Sequence, residues 1–163
     1  MLTLTFNELL AYTDEERAKW HRWLRENPSA LGLRLQPDGR FATVGALIDH
    51  IFLVEARHLA RLQGAAIPES SGIAPHDIDA LFRYGAAVRL ALRNFASSLS
   101  DEDASKVREF VVQSGAAKLS PRKLLFHVGL HETRHWAQIA LGVRQSAVAP
   151  PGNHDLFYSS ALS

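Results

Sequence analysis

The chain is predicted to be an all-α protein, a four-helix bundle with long crossover loops. Three observations predict it. Apolar residues recur at helical spacing through four segments of roughly 20 to 25 residues. Alternating apolar and polar runs of the strand type are nearly absent. The segments are separated by stretches of roughly ten to twenty residues, long enough to cross the bundle, so neighbours in sequence need not be neighbours in space. At 163 residues, 47% hydrophobic and 21% charged, the chain has the size and composition of one globular domain spanning 1–163.

The first helix is expected from about Phe6 to Glu26, where Phe6, Leu9, Leu10, Thr13, Trp20 and Leu24 form the stripe and Pro28 follows the end. Pro37-Asp38-Gly39 then reads as a turn. The second helix opens behind Thr43, a good N-cap, and stops at Gly64 after Gln63. Its inner side carries Val44, Leu47, Ile48, Ile51, Leu59 and Leu62. Glu55 and His58 fall inside that apolar stripe and His50 at its margin. Charged groups in such a stripe need partners, because an unpaired buried charge is costly.

A loop rich in Pro, Ser and Gly covers Ala65 to Pro75. The third helix is expected from about His76 to Leu99, with Ile78, Leu81, Phe82, Val88, Leu92 and Phe95 inward. Ser100 to Leu119 reads as a short helix followed by a short extended piece. Ser120-Pro121 is a start signal, a Ser cap with Pro at the first helical position, and the fourth helix runs on to about Gln145. The tail from Ser146 has no periodicity and is expected to pack back across the bundle.

Basic and acidic residues number 18 and 17, for a net charge of +1, which is not the footprint of a nucleic-acid binder. No apolar run approaches the roughly 20 residues needed to span a bilayer, and no membrane partner is expected. The N-terminal stretch Met1 to Glu8 lacks a basic region and a small-residue cleavage site. Cysteine is absent, which excludes disulfides, Cys-type zinc sites and cysteine nucleophiles. A cytoplasmic location is the default.

Histidine is the anomaly, with eight in the chain. His131 and His135 stand four apart on the fourth helix, so both imidazoles share one face and could chelate one ion. His127, one turn earlier, cannot join both, since positions i and i+8 lie about 12 Å apart along the axis; it is expected to orient or pack against the pair. A catalytic site needs a third protein ligand and an open position. The second helix offers His50 or His58: periodicity favours His58, while the margin of the stripe, where a cleft would lie, favours His50.

Three metal architectures compete. His131-Glu132-Thr133-Arg134-His135 spells HExxH, in which the Glu is the general base of zincin peptidases. However, Gln138 and Leu141 stand where the longer form has Gly and His, and no Glu follows Glu132. Glu55-x-x-His58 and Glu132-x-x-His135 resemble the paired motifs of a di-iron bundle, but the third helix contains no Glu. The third architecture is mononuclear, one histidine of the second helix with His131 and His135.

Here two stretches matter. Val44-Gly45-Ala46-Leu47-Ile48-Asp49-His50-Ile51-Phe52-Leu53-Val54-Glu55 carries a His followed five residues later by Glu. Leu124 to Ile139 carries His127, then His131, then His135-Trp136-Ala137-Gln138. With the closing segment Pro150 to Tyr158, they resemble the DinB-like superfamily of metal-dependent hydrolases and low-molecular-weight thiol transferases. The resemblance covers the two ligand helices and the C-terminus. It implies His50, His131 and His135 as ligands of a divalent ion, zinc or nickel, although imidazole also suits copper and iron. It further implies a small-molecule substrate, such as a low-molecular-weight thiol, and is compatible with a homodimer. Trp136-Ala137 stands where the family pattern has Arg-Gly, and Leu130 where it has Asn.

Three neutral imidazoles would leave the ion its full charge, available to activate water or a thiol. Glu55 is the candidate catalytic acid/base; the other reading makes it a buried carboxylate that orients a histidine or pairs with Arg. Arg134 reads equally as a surface or a site residue, and Gln138 as a group that orients a ligand. His21, His76 and His154 read as surface or loop residues. Two other functions stand beside the metal-dependent hydrolase or thiol transferase: a non-catalytic metal-binding or stress-response bundle, and the HExxH metallopeptidase.

Overall fold

The computed structural model describes residues 3–35, 41–112 and 115–162. The expected turn at Pro37-Asp38-Gly39 lies outside them. Four long helices form the body: α1 (Phe6–Glu26), α2 (Val44–Gln63), α3 (Ile78–Ser98) and α5 (Pro121–Gln145), with a single short helix α4 (Asp101–Ser105) before the last.

Each long helix starts where a side chain replaces a missing backbone acceptor. Thr5 and Glu8 form a reciprocal capping box on α1. Thr43 accepts from the Ala46 amide at 3.2 Å, Asp77 from Ala80 at 3.0 Å, and Ser120 from Lys123 at 3.2 Å. The Asp77 cap is why α3 begins at Ile78 rather than at the expected His76. Gly64 ends α2 in the left-handed conformation, φ 66°, which favours a residue without Cβ.

α1 packs on α3 and α5, and α2 packs on the same two helices. Walking round the bundle, the order is α1, α3, α2, α5. The connections α1 to α2 and α3 to α5 therefore run diagonally, the crossover expected from the loop lengths. The first carries a 3-10 turn, Pro28–Gly32. The second carries α4 and an antiparallel hairpin, β1 (Arg108–Val112) on β2 (Gly115–Leu119), with Phe110 opposite Ala117.

The hairpin corrects the expectation of a single extended piece. Its residues carry little alternation because both faces are largely solvated: within β1 only Phe110 is buried, and Val111 is 71% exposed. The core proper contains Trp20, Leu24, Ile48, Phe52, Leu81, Trp136 and Ile139, with a second cluster around Leu92, Phe110, Leu124 and Val128. The tail packs back as expected, against α1. Tyr12 donates its hydroxyl hydrogen to the His154 carbonyl at 2.5 Å, and the His154 ring stacks on Trp20 at 5.3 Å. Among the described residues no helix is long and apolar enough to cross a membrane.

Candidate metal centre

The neighbouring helices α2 and α5 bring three imidazoles together. His131 and His135, one turn apart, are buried, and His50 is half-buried. The Nε2 atoms of His50 and His131 lie 3.3 Å apart, those of His131 and His135 3.0 Å. One nitrogen from each ring lies within 4.8 Å of the others, and among the described residues this is the one such cluster. Phe41 packs against His50 with ring centroids 4.1 Å apart and meets His135 edge-on at 6.1 Å.

The donor set fits a divalent ion. Nitrogen ligands at 2.0–2.1 Å in tetrahedral geometry stand roughly 3.3 Å from one another, close to both separations. The Gln138 carbonyl oxygen lies 2.5 Å from His135 Nδ1. An amide oxygen only accepts, so Nδ1 carries the hydrogen and Nε2 keeps the lone pair a metal needs. The His131 and His135 rings are held neutral as well. Burial, then the neighbouring His135 and His50, pushes His131 down to about 2, and burial also lowers His135.

The trio lies at a cavity of about 1050 Å³, whose lining also includes His58, His127 and Arg134. His58, the alternative third ligand, is buried beside His127 with ring centroids 5.2 Å apart. Its Nδ1 has no hydrogen-bond partner. Burial, with His127 and Arg61 nearby, lowers it to about 4. His127 is exposed and packs 5.6 Å from His131, near the pair as expected.

The two glutamates of the motifs face elsewhere. Glu132 follows His131 and so points about 100° away from it, into the bundle. There it accepts from Arg17 Nε at 2.6 Å and Nη2 at 2.8 Å, Arg89 Nη2 at 2.5 Å and Trp136 Nε1 at 2.9 Å. Burial alone would raise its pKa, but Arg17 and Arg89 outweigh burial and hold it below the usual carboxylate range. Both oxygens are thus committed to nitrogen donors, which withholds Glu132 from the general-base role of HExxH peptidases.

Glu55, about 140° round α2 from His50, meets the same arginines. It accepts from Arg17 Nη2 and from Arg89 Nε, the latter at 2.7 Å, and is 1% exposed. This is the arginine pairing that stood as its alternative, and Glu55 does not line the cavity. Arg17 further donates to the Gly85 carbonyl at 3.0 Å, and Arg89 to Thr13 and Asp14 at 2.8 and 2.7 Å. Each long helix thus contributes one charge to a buried quartet, two positive and two negative. A di-iron site would need these carboxylates free. The quartet instead pins the register of α2 against α5, and with it the convergence of the histidines.

Arg17 and Arg89 escaped the sequence reading, although the signal was present. Arg17 continues the stripe of Leu10, Thr13, Trp20 and Leu24, and Arg89 stands seven after Phe82 and three before Leu92. Each is a charge inside an apolar stripe, as Glu55 is. Trp136, in place of the family's Arg, stacks on Trp20 at 5.7 Å and is 2% exposed; here it is core. Leu130 is 59% exposed.

No curated protein matches the chain. A family model does, over residues 1–161 of 163, a span that includes all four long helices and the histidine cluster. The chain belongs to the DinB family.

Proposed function

We propose that the protein is a divalent-metal enzyme, a hydrolase or thiol S-transferase, with His50, His131 and His135 as ligands of zinc or nickel. The observation that carries this reading is the convergence of three imidazole Nε2 atoms beside a cavity large enough for a small molecule. Three protein ligands would leave such an ion a position for water or substrate. An ion held this way would supply Lewis-acid activation of a water or a thiol.

The chain's own residues do the rest. Gln138 holds the His135 ring with its lone pair turned inward. Phe41 covers the His50 ring and limits access of water to that side. The Arg17, Glu55, Arg89 and Glu132 quartet keeps the two ligand helices in register.

The test is metal content of the purified protein, repeated with His131→Ala and His50→Ala, followed by assay against thiol acceptors, esters and amides. About one equivalent of metal is expected in the parent and less than about a tenth in either variant. Unchanged metal in both variants would refute the ligand set. Metal without turnover of any of these substrates would instead favour a non-catalytic binding module.

A further inference from the structure

The cavity beside the histidines carries an excess of positive charge. Arg57, Arg61, Lys123 and Arg134 line it, against one acidic side chain, Glu69. Two of the cations come from α2 and two from α5, the helices that carry the histidines. The chain as a whole has a net charge of only +1, so the excess is local. Among the described residues none of the four forms an ion pair. The arginines Arg17, Arg89 and Arg93 each have a carboxylate instead.

The two α2 arginines are held in place by neutral groups. Arg57 donates through Nε to the Pro68 carbonyl at 2.9 Å and through Nη2 to the Glu69 carbonyl at 2.5 Å. Arg61 Nε donates to the Val111 carbonyl at 2.8 Å. Carbonyls orient a guanidinium without neutralising it, and they leave further N–H donors unused. Val54, Ile67 and Leu124 add apolar wall.

We propose that this cavity binds a small organic anion with two or more charges, its carboxylates or phosphate held by Arg57, Arg61, Lys123 and Arg134 while its reacting group lies at His50, His131 and His135. The second half rests on the metal reading; the first does not. A cleft of this size suits a metabolite. A nucleic acid would need an extended basic surface, which the near-neutral chain lacks.

The experiment is calorimetric titration of the metal-free, full-length protein with mercaptosuccinate, 1-thioglycerol, succinate and inorganic phosphate. Mercaptosuccinate is expected to bind at least about tenfold tighter than the uncharged 1-thioglycerol, and to weaken about tenfold as salt rises from about 50 to about 300 mM. Succinate against phosphate separates carboxylate from phosphate as the recognised group. Lys123→Glu/Arg134→Glu, both exposed positions, is expected to abolish the preference. Arg122→Glu, whose parent residue lines a different cavity, is the charge control and should retain it.

Equal binding of charged and neutral probes would overturn the proposal. So would an equal loss in Arg122→Glu, or a single-stranded oligonucleotide that binds in preference to every small anion. Metal titration of the same proteins keeps the two readings apart. Lost anion preference with intact metal binding refutes only the anion site, and retained preference without metal binding refutes only the metal centre.

Discussion

Replacing Glu55 by Gln changes almost nothing in shape and removes one of two negative charges from the buried quartet. In the parent, two guanidiniums face two carboxylates, all four side chains less than a tenth exposed. Glu55→Gln leaves the two buried guanidiniums with Glu132 and, for Arg89 alone, the partly exposed Asp14, and turns an amide NH2 toward Arg17 or Arg89, donor against donor. Breaking a buried pair in this way costs about 3–5 kcal/mol. That is a large part of the roughly 5–15 kcal/mol that holds a domain folded. At about 2–4 °C per kcal/mol for a chain of this length, the melting temperature should fall by roughly 10 °C. The assay is equilibrium urea unfolding of metal-free parent and variant, with metal affinity measured on the folded variant. A loss below about 1 kcal/mol would refute the structural account of the quartet. Full stability with turnover abolished would assign Glu55 to acid–base chemistry instead.

Gln138→Ala removes the acceptor that fixes the His135 tautomer; metal affinity should fall about 10-fold, measured by competition with a chelator, with little change in stability. An unaltered affinity would mean that the hydrogen bond does not prepare the ligand. Without metal, His58 and His131 are neutral in the fold well below the ordinary histidine pKa, so below about pH 6.5 the unfolded chain binds more protons. Stability should therefore fall as pH is lowered from 6.5 toward 4, by up to about 1.4 kcal/mol per pH unit for each of the two. A urea midpoint that stays flat over that window would contradict the buried neutral imidazoles. A Cβ on Gly45 would stand 2.0 Å from the Pro75 carbonyl oxygen, a backbone atom that cannot swing aside. Gly45→Ala should cost about 1–3 kcal/mol or more, and a variant that melts with the parent would show that the loop before α3 yields easily.

The helices were legible in the chain because each is written locally. Thr43, Asp77 and Ser120 cap from inside their own first turn, and the apolar stripes repeat over five turns or more. The pairing of His131 with His135 is equally local, since four residues on a helix are one turn. The fold class, the four long helices and this half of the site therefore followed from the residues alone, and the resemblance to the family supplied His50 as the third member of the cluster.

What lay beyond the sequence depends on which helix sits beside which. His50 and His58 are two turns apart on α2, and periodicity favours His58, which does not join the cluster. Only the packing of α2 against α5 brings His50 within 3.3 Å of His131 and leaves His58 beside His127. The quartet is still more remote, because Arg17, Glu55, Arg89 and Glu132 come from four helices and acquire meaning only as a neutralised set. The hairpin was hidden for the opposite reason: strands solvated on both faces leave little hydrophobic pattern to read. Interactions within one turn are encoded where they occur, whereas pairings between helices are chosen by the free energy of burying the whole core at once.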